Sequence, residues 1–142
     1  MISFSEEFKR RLVDGLTEGH VVVASYVDRK GEPHASFYGS VHAHSDNQIG
    51  LWARNPESEL VQILDQSPVV AFVYADLSTR TFYRFRGHAR LVTDDATRDQ
   101  VFEGMHPFEQ GQDAERKGSA IVVDVDYYAG REESGVFEQT AS

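Results

Sequence analysis

The chain contains no cysteine. That excludes disulfides, thiolate metal sites and a cysteine nucleophile. It also has no apolar run of about 18 residues, so no segment reads as a membrane-spanning helix. The opening MISFSEEFKRRL lacks the apolar core of a secretion signal, which points to a cytoplasmic protein. Proline is scarce, at 4 in 142 residues. Positive charge is in the minority: 14 Lys and Arg stand against 23 Asp and Glu, for a net charge of −9. Nucleic-acid binding rests on cationic contacts to phosphates, so an acidic chain without a basic block argues against it. Gly-x-Ser-x-Gly, Walker-type and Gly-x-Gly-x-x-Gly motifs are all missing. There is no internal repeat or linker.

What remains fits one domain over residues 1–142, with an ordinary apolar content of 40%. A chain of this length buries roughly 68–70% of the surface its unfolded form exposes, so a core forms without staples. Ser3 or Ser5 can cap a first helix over 5–17, with Phe8, Leu12 and Leu16 on one stripe. HVVVASYVD (20–28) reads as a buried strand, Arg29-Lys30-Gly31-Glu32 as a hairpin turn, and 33–43 as the return strand. Further strands are expected at 48–53, 69–75, 80–92 and 120–128, the long one bent or bulged near Gly87. Alternation in the last strand places Ile121, Val123, Val125 and Tyr127 on one face and Val122, Asp124, Asp126 and Tyr128 on the other. Short helices are expected at 55–65, with Asn55 as cap and Pro56 at the first position, and near 95–103. The polar tail from 131 reads as partly disordered. The fold class is therefore mainly β with a few short helices: a six-stranded antiparallel barrel.

The junction Trp52-Ala53-Arg54-Asn55-Pro56-Glu57-Ser58 sets an arginine ahead of a helix start, where free N–H groups favour an anion. Arg54 and Ser58 can clamp a phosphate; they can equally form a salt bridge and an ordinary first-turn serine. Trp52 can line a ring pocket or simply pack in the core. His42 and His44 share a strand face but lack a third ligand, so no metal site is read. Asp124 with Asp126, and Arg84, Arg86 and His88, alternate as exposed strand faces do, although the basic stripe can also meet an anion.

The order of elements, with Gly31-Glu32-Pro33-His34, Leu51-Trp52 followed by Ser58, Gln66-Ser67-Pro68-Val69-Val70-Ala71 and Gly87-His88-Ala89-Arg90, resembles the pyridoxamine 5′-phosphate oxidase-like family over about residues 5–130. The resemblance implies an FMN-binding split β-barrel, usually a homodimer with the flavin in a groove between subunits. It implies that the strand around Ser36, Phe37 and Tyr38 lies along the flavin ring and that Arg54, Asn55 and Ser58 hold the phosphate; Trp52 is a further candidate for the ring, or a core residue. It further implies an oxidoreductase acting on a small molecule with FMN, or with a deazaflavin. Many flavin-binding relatives carry Lys or Arg immediately after the position of Ser58; Glu59 and Leu60 stand there in this chain, and a carboxylate repels a phosphate. The alternative is a non-catalytic or stress-related barrel that has lost the flavin. A third reading, haem binding or degradation, rests on fold analogy and six histidines.

Overall fold

The structure, a computed structural model, describes residues 1–141. Ser142, included in the expected domain, lies outside them.

Helix α1 (Glu6–Glu18) starts where the Ser5 hydroxyl accepts the Phe8 N–H, and ends at Gly19, left-handed at φ 83°. Its buried stripe, Phe8 and Leu12, packs onto the sheet. Strands β1 (Val23–Val27) and β2 (Pro33–Phe37) form a hairpin whose turn needs the positive φ of Gly31. Then come β3 (His42–Ala43), β4 (Gln48–Ala53), α2 (Glu59–Ile63) with a 3-10 turn at Leu64–Gln66, β5 (Val69–Asp76) and β6 (Thr81–Leu91). Helices α3 (Asp95–Gly104) and α4 (Pro107–Gln112) precede β7 (Ser119–Glu132) and β8 (Gly135–Thr140).

All strand pairs are antiparallel, in the order β2-β1-β5-β6-β7-β4-β3, with β8 added to β7. The terminal strands of that order, β2 and β3, belong to one stretch of chain, so the barrel is split between them. The single return strand expected at 33–43 is therefore two. Tyr38 still donates to Val22 O, but at Ser40 the hydroxyl replaces the backbone ladder, accepting from Trp52 N at 3.0 Å and donating to Trp52 O at 3.2 Å. Among the described residues the strands number eight rather than the expected six. The extra one at the end comes from the supposed tail. β7 runs on to Glu132, and β8 pairs with it because Phe137 packs against Tyr83 and Tyr128.

A bulge sits where one was expected, but its extra residue is on the partner strand. Arg86 pairs with Tyr127 and Gly87 with Val125, leaving Asp126 unopposed. The slip reverses the faces beyond it: Tyr128, expected outside, is buried, while Tyr127 turns out. Tyr128 then meets Phe4 edge-on, Phe8 tilted and Tyr83 stacked, and Phe8 carries the cluster on to Phe85. Each such buried side chain contributes about 1.5–3 kcal/mol. A second apolar cluster of Trp52, Val92, Val101, Phe102, Met105, Ala120 and Val122 lies under α3, so the first half of β7 is covered on both faces.

Candidate functional site

Beside the split lies a cleft of about 480 Å³, within the range of small-molecule and cofactor sites. The segment just after β2, the end of β4, the start of α2, and Leu16 and Glu109 of the neighbouring helices form its walls. Ser36, Phe37, Tyr38, Trp52, Arg54, Asn55 and Ser58 all line it. The sequence reading missed Val21, Gly39, Ser40 and Glu109. Glu109 comes from α4, a helix of six residues whose first position is Pro107. A Cβ on Gly39 would stand 3.2 Å from the Glu109 carboxyl carbon and from Leu16 Cδ1, so those side chains pack closely over this backbone.

The individual side chains differ in how free they are. Arg54 is exposed; among the described residues its side chain donates to the neutral Gln112 Oε1 at 3.3 Å and forms no ion pair, although the Glu109 carboxylate lines the same cleft. Phe37 is 75% exposed, and Ser36 is exposed beside it. Tyr38 is half-buried, and burial raises its phenol pKa. Trp52 is held as core: its indole N–H donates to Asp113 at 2.8 Å, Phe102 meets it edge-on, and Arg98 lies 4.7 Å over the ring. Burial opposes the charge on Asp113, yet that indole bond and the N–H groups of Lys117 and Gly118 hold its pKa below the usual carboxylate range.

The helix after the junction is shorter than expected, and its cap is Ser58, not Asn55. The Asn55 side chain accepts Glu57 N at 2.9 Å, while Ser58 N reaches back to Asn55 O at 3.0 Å. That closes a turn, and Ser58 is extended at ψ 153°. The Ser58 hydroxyl accepts Val61 N at 3.4 Å. With α2 only five residues long, little dipole builds up at its start. Arg54, rather than the helix end, is therefore the main attraction for an anion. Glu59, expected to press on an anion here, points away, its carboxylate 3.0 Å from His34 Nε2.

The other candidates lie elsewhere. His42 is buried and His44 half-buried, and the two do not converge on a ligand site. Asp124 binds Gln48 at 2.9 Å and Arg90 at 3.1 Å, and Asp126 meets His88 at 3.4 Å. Arg86 and Arg84 lie 4.2 Å and 5.6 Å from the Tyr127 ring. These are the cross-strand pairs of an outward sheet face, away from the cleft.

The chain is thus an antiparallel split barrel with a cleft of about 480 Å³ beside its seam, lined by Arg54. The chain belongs to the pyridoxamine 5′-phosphate oxidase family, whose model matches residues 8–130. No curated protein matches the sequence. Among solved structures, HupZ of Group A Streptococcus is similar at 19% identity and a TM-score of 0.70, over 98% of this chain and 99% of that one. A putative pyridoxamine 5′-phosphate oxidase from Lactobacillus delbrueckii is 17% identical, with a TM-score of 0.62 over 90% and 94%. A heme binding protein from Mycobacterium smegmatis is 14% identical, with a TM-score of 0.65 over 99% of this chain and 60% of that one. Likeness at these identities shows the shared fold. Among the described residues no helix is long and apolar enough to cross a membrane.

Proposed function

We propose that this chain is a cytoplasmic, homodimeric flavoprotein that binds FMN, or a deazaflavin, in the seam cleft and acts as an oxidoreductase on a small molecule. The observation that carries the reading is the convergence of Ser36, Phe37, Tyr38, Arg54, Asn55 and Ser58 on one open cleft of about 480 Å³. The residues fit the group. Arg54 offers a planar, permanently charged donor set to a phosphate, with the Glu59 carboxylate turned away from it. The exposed Phe37 ring and half-buried Tyr38 offer apolar surface to a flavin ring. When bound, a flavin supplies the electron transfer; the protein's part is to hold and orient it and to limit water.

The dimer is supported by Phe37, which lines both this cleft and a neighbouring apolar groove with Val23 and Val73 on the barrel's outer face. A second copy seated there would bury Phe37 and close the cleft.

The test is the absorption spectrum of the purified protein, followed by FMN titration. Flavin bands, or saturable binding, are expected. Arg54→Ala should weaken binding by about 1.5–3 kcal/mol, the worth of a charged hydrogen bond. A protein that neither carries nor binds FMN or a deazaflavin would refute the reading and leave the cofactor-free, stress-related alternative. A Soret band in its place would favour haem.

A further inference from the structure

A second cavity, of about 320 Å³, opens on the other side of α2. In its wall His34 Nε2 lies 2.8 Å from Asp28 Oδ2 and 3.0 Å from Glu59 Oε2. The trio comes from three places in the fold: the residue after β1, the second residue of β2, and the first residue of α2. One ligand atom from each lies within 4.8 Å of the other two. Tetrahedral zinc, with bonds of about 2.0–2.2 Å to nitrogen and oxygen, spaces its ligand atoms by about 3.3–3.6 Å, so these groups need only small shifts to enclose an ion.

The donors are also oriented from behind. Asp28 Oδ1 accepts Lys30 N at 2.8 Å and Glu32 N at 3.0 Å, leaving Oδ2 aimed at the imidazole. The Tyr26 ring stacks on His34 at 5.1 Å and an interplanar angle of 11°, fixing its plane. Such supporting contacts are what hold ligands in a metal site. The nearest arginine is committed elsewhere: Arg29 donates to Gln62 O at 2.6 Å and to Asp65 at 3.1 Å. Glu32 adds a third carboxylate to the cavity wall, and Lys30 a cation.

We propose that Asp28, His34 and Glu59 form a binding site for a divalent transition-metal ion, zinc in the first instance, with its remaining coordination position open to the cavity. Without the ion, His34 Nε2 lies within hydrogen-bond reach of both carboxylates, so the three groups already face one another. The site does not depend on a flavin in the neighbouring cleft.

The test is calorimetric titration of the full chain, stripped with EDTA and dialysed, with zinc chloride alone. One ion per chain is expected. His34→Gln and Asp28→Asn should each weaken binding by about tenfold or more, and Glu59→Gln should weaken it too. His88→Gln, on the outer sheet face, should leave it unchanged. Circular dichroism establishes that each variant is folded. Cobalt(II) in place of zinc should give the visible absorption of a low-coordinate site, lost in His34→Gln. Folded wild-type protein that takes up no zinc, or a folded His34→Gln variant that binds it equally well, would overturn the proposal.

Discussion

His42 places an ionisable ring where there is room for only one of its protons. Its Nδ1–H donates to Ser40 O at 2.8 Å, and its buried Nε2 has no partner among the described residues. Two glycines make the space: a Cβ on Gly50 or Gly104 would stand 2.8 Å or 2.5 Å from that nitrogen. Burial lowers the pKa of His42 to about 4 from a model-peptide value of 6.5. The unfolded chain therefore takes up the proton first. The stability that a neutral His42 contributes is fully present above the unfolded pKa and is lost as pH falls from about 6.5 toward 4, by roughly 3 kcal/mol in all. Denaturant midpoints measured across that range should fall steeply for the wild type and less for His42→Gln; equal slopes would count against the assignment. His34 acts in the opposite sense. Its hydrogen bond to Asp28 raises its pKa, so its contribution is present at low pH and lost as pH rises through the raised value. At this scale the junction residues Trp52, Arg54, Asn55 and Ser58 of the cleft wall are legible in one short stretch, whereas Val21, Gly39, Ser40 and Glu109 are not. Nor are the His42 pocket and the Asp28–His34–Glu59 trio, since each is assembled from residues distant in sequence.

At the scale of elements, strands with strong alternation were read correctly where they run undisturbed: β6 buries Tyr83, Phe85 and Ala89 and exposes Arg84, Arg86 and His88. The bulge is where sequence pattern stops serving. Nothing local announces that Asp126 is unopposed, so Tyr127 and Tyr128 were assigned to the wrong faces. Gly87 was the visible signal of the disturbance. A Cβ there would stand 2.0 Å from Asp124 O, a backbone atom that cannot swing aside. Gly87→Ala should therefore cost about 1–3 kcal/mol or more, read from chemical denaturation; a change within a few tenths would mean that the strands separate freely at this point. β8 was missed for a different reason. It is an edge strand whose exposed positions are polar apart from Val136, so only Phe137 links it to the core, too little for a periodicity to show. The helix over 55–65 was overextended because Asn55, Pro56 and Glu57 suit a helix start as well as they suit the turn they form.

For the whole molecule, the outer face of the sheet is the notable surface. Val73, Phe82 and Val136 are exposed on β5, β6 and β8, around an apolar groove of about 350 Å³. The register Phe37–Val23–Val73 continues that surface to the cleft. Contiguous apolar patches of this kind mark association surfaces. Sedimentation should show a dimer, and Phe37→Ser with Val73→Ser should shift it toward monomer without unfolding it, since both side chains are exposed in the single chain. Unchanged sedimentation of the double variant would place the contact on another face. The fold family was legible at this scale because element order and turn spacing survive where individual residues have diverged; a partner surface is not, because it draws residues from several strands at once.

The hydroxyl of Ser40 bears on how this barrel holds together. Along the rest of the sheet, neighbouring strands are joined by main-chain groups, which every residue possesses and no substitution except proline removes. At the seam, both polar groups of the Trp52 backbone are met by one side chain. Closure at that point is thus a property of residue identity rather than of the polypeptide itself. Ser40 and Trp52 both line the cleft, so a substitution at Ser40 acts on the cleft wall and on this joint together. The main-chain ladder elsewhere keeps its own donors and acceptors whatever residue stands there.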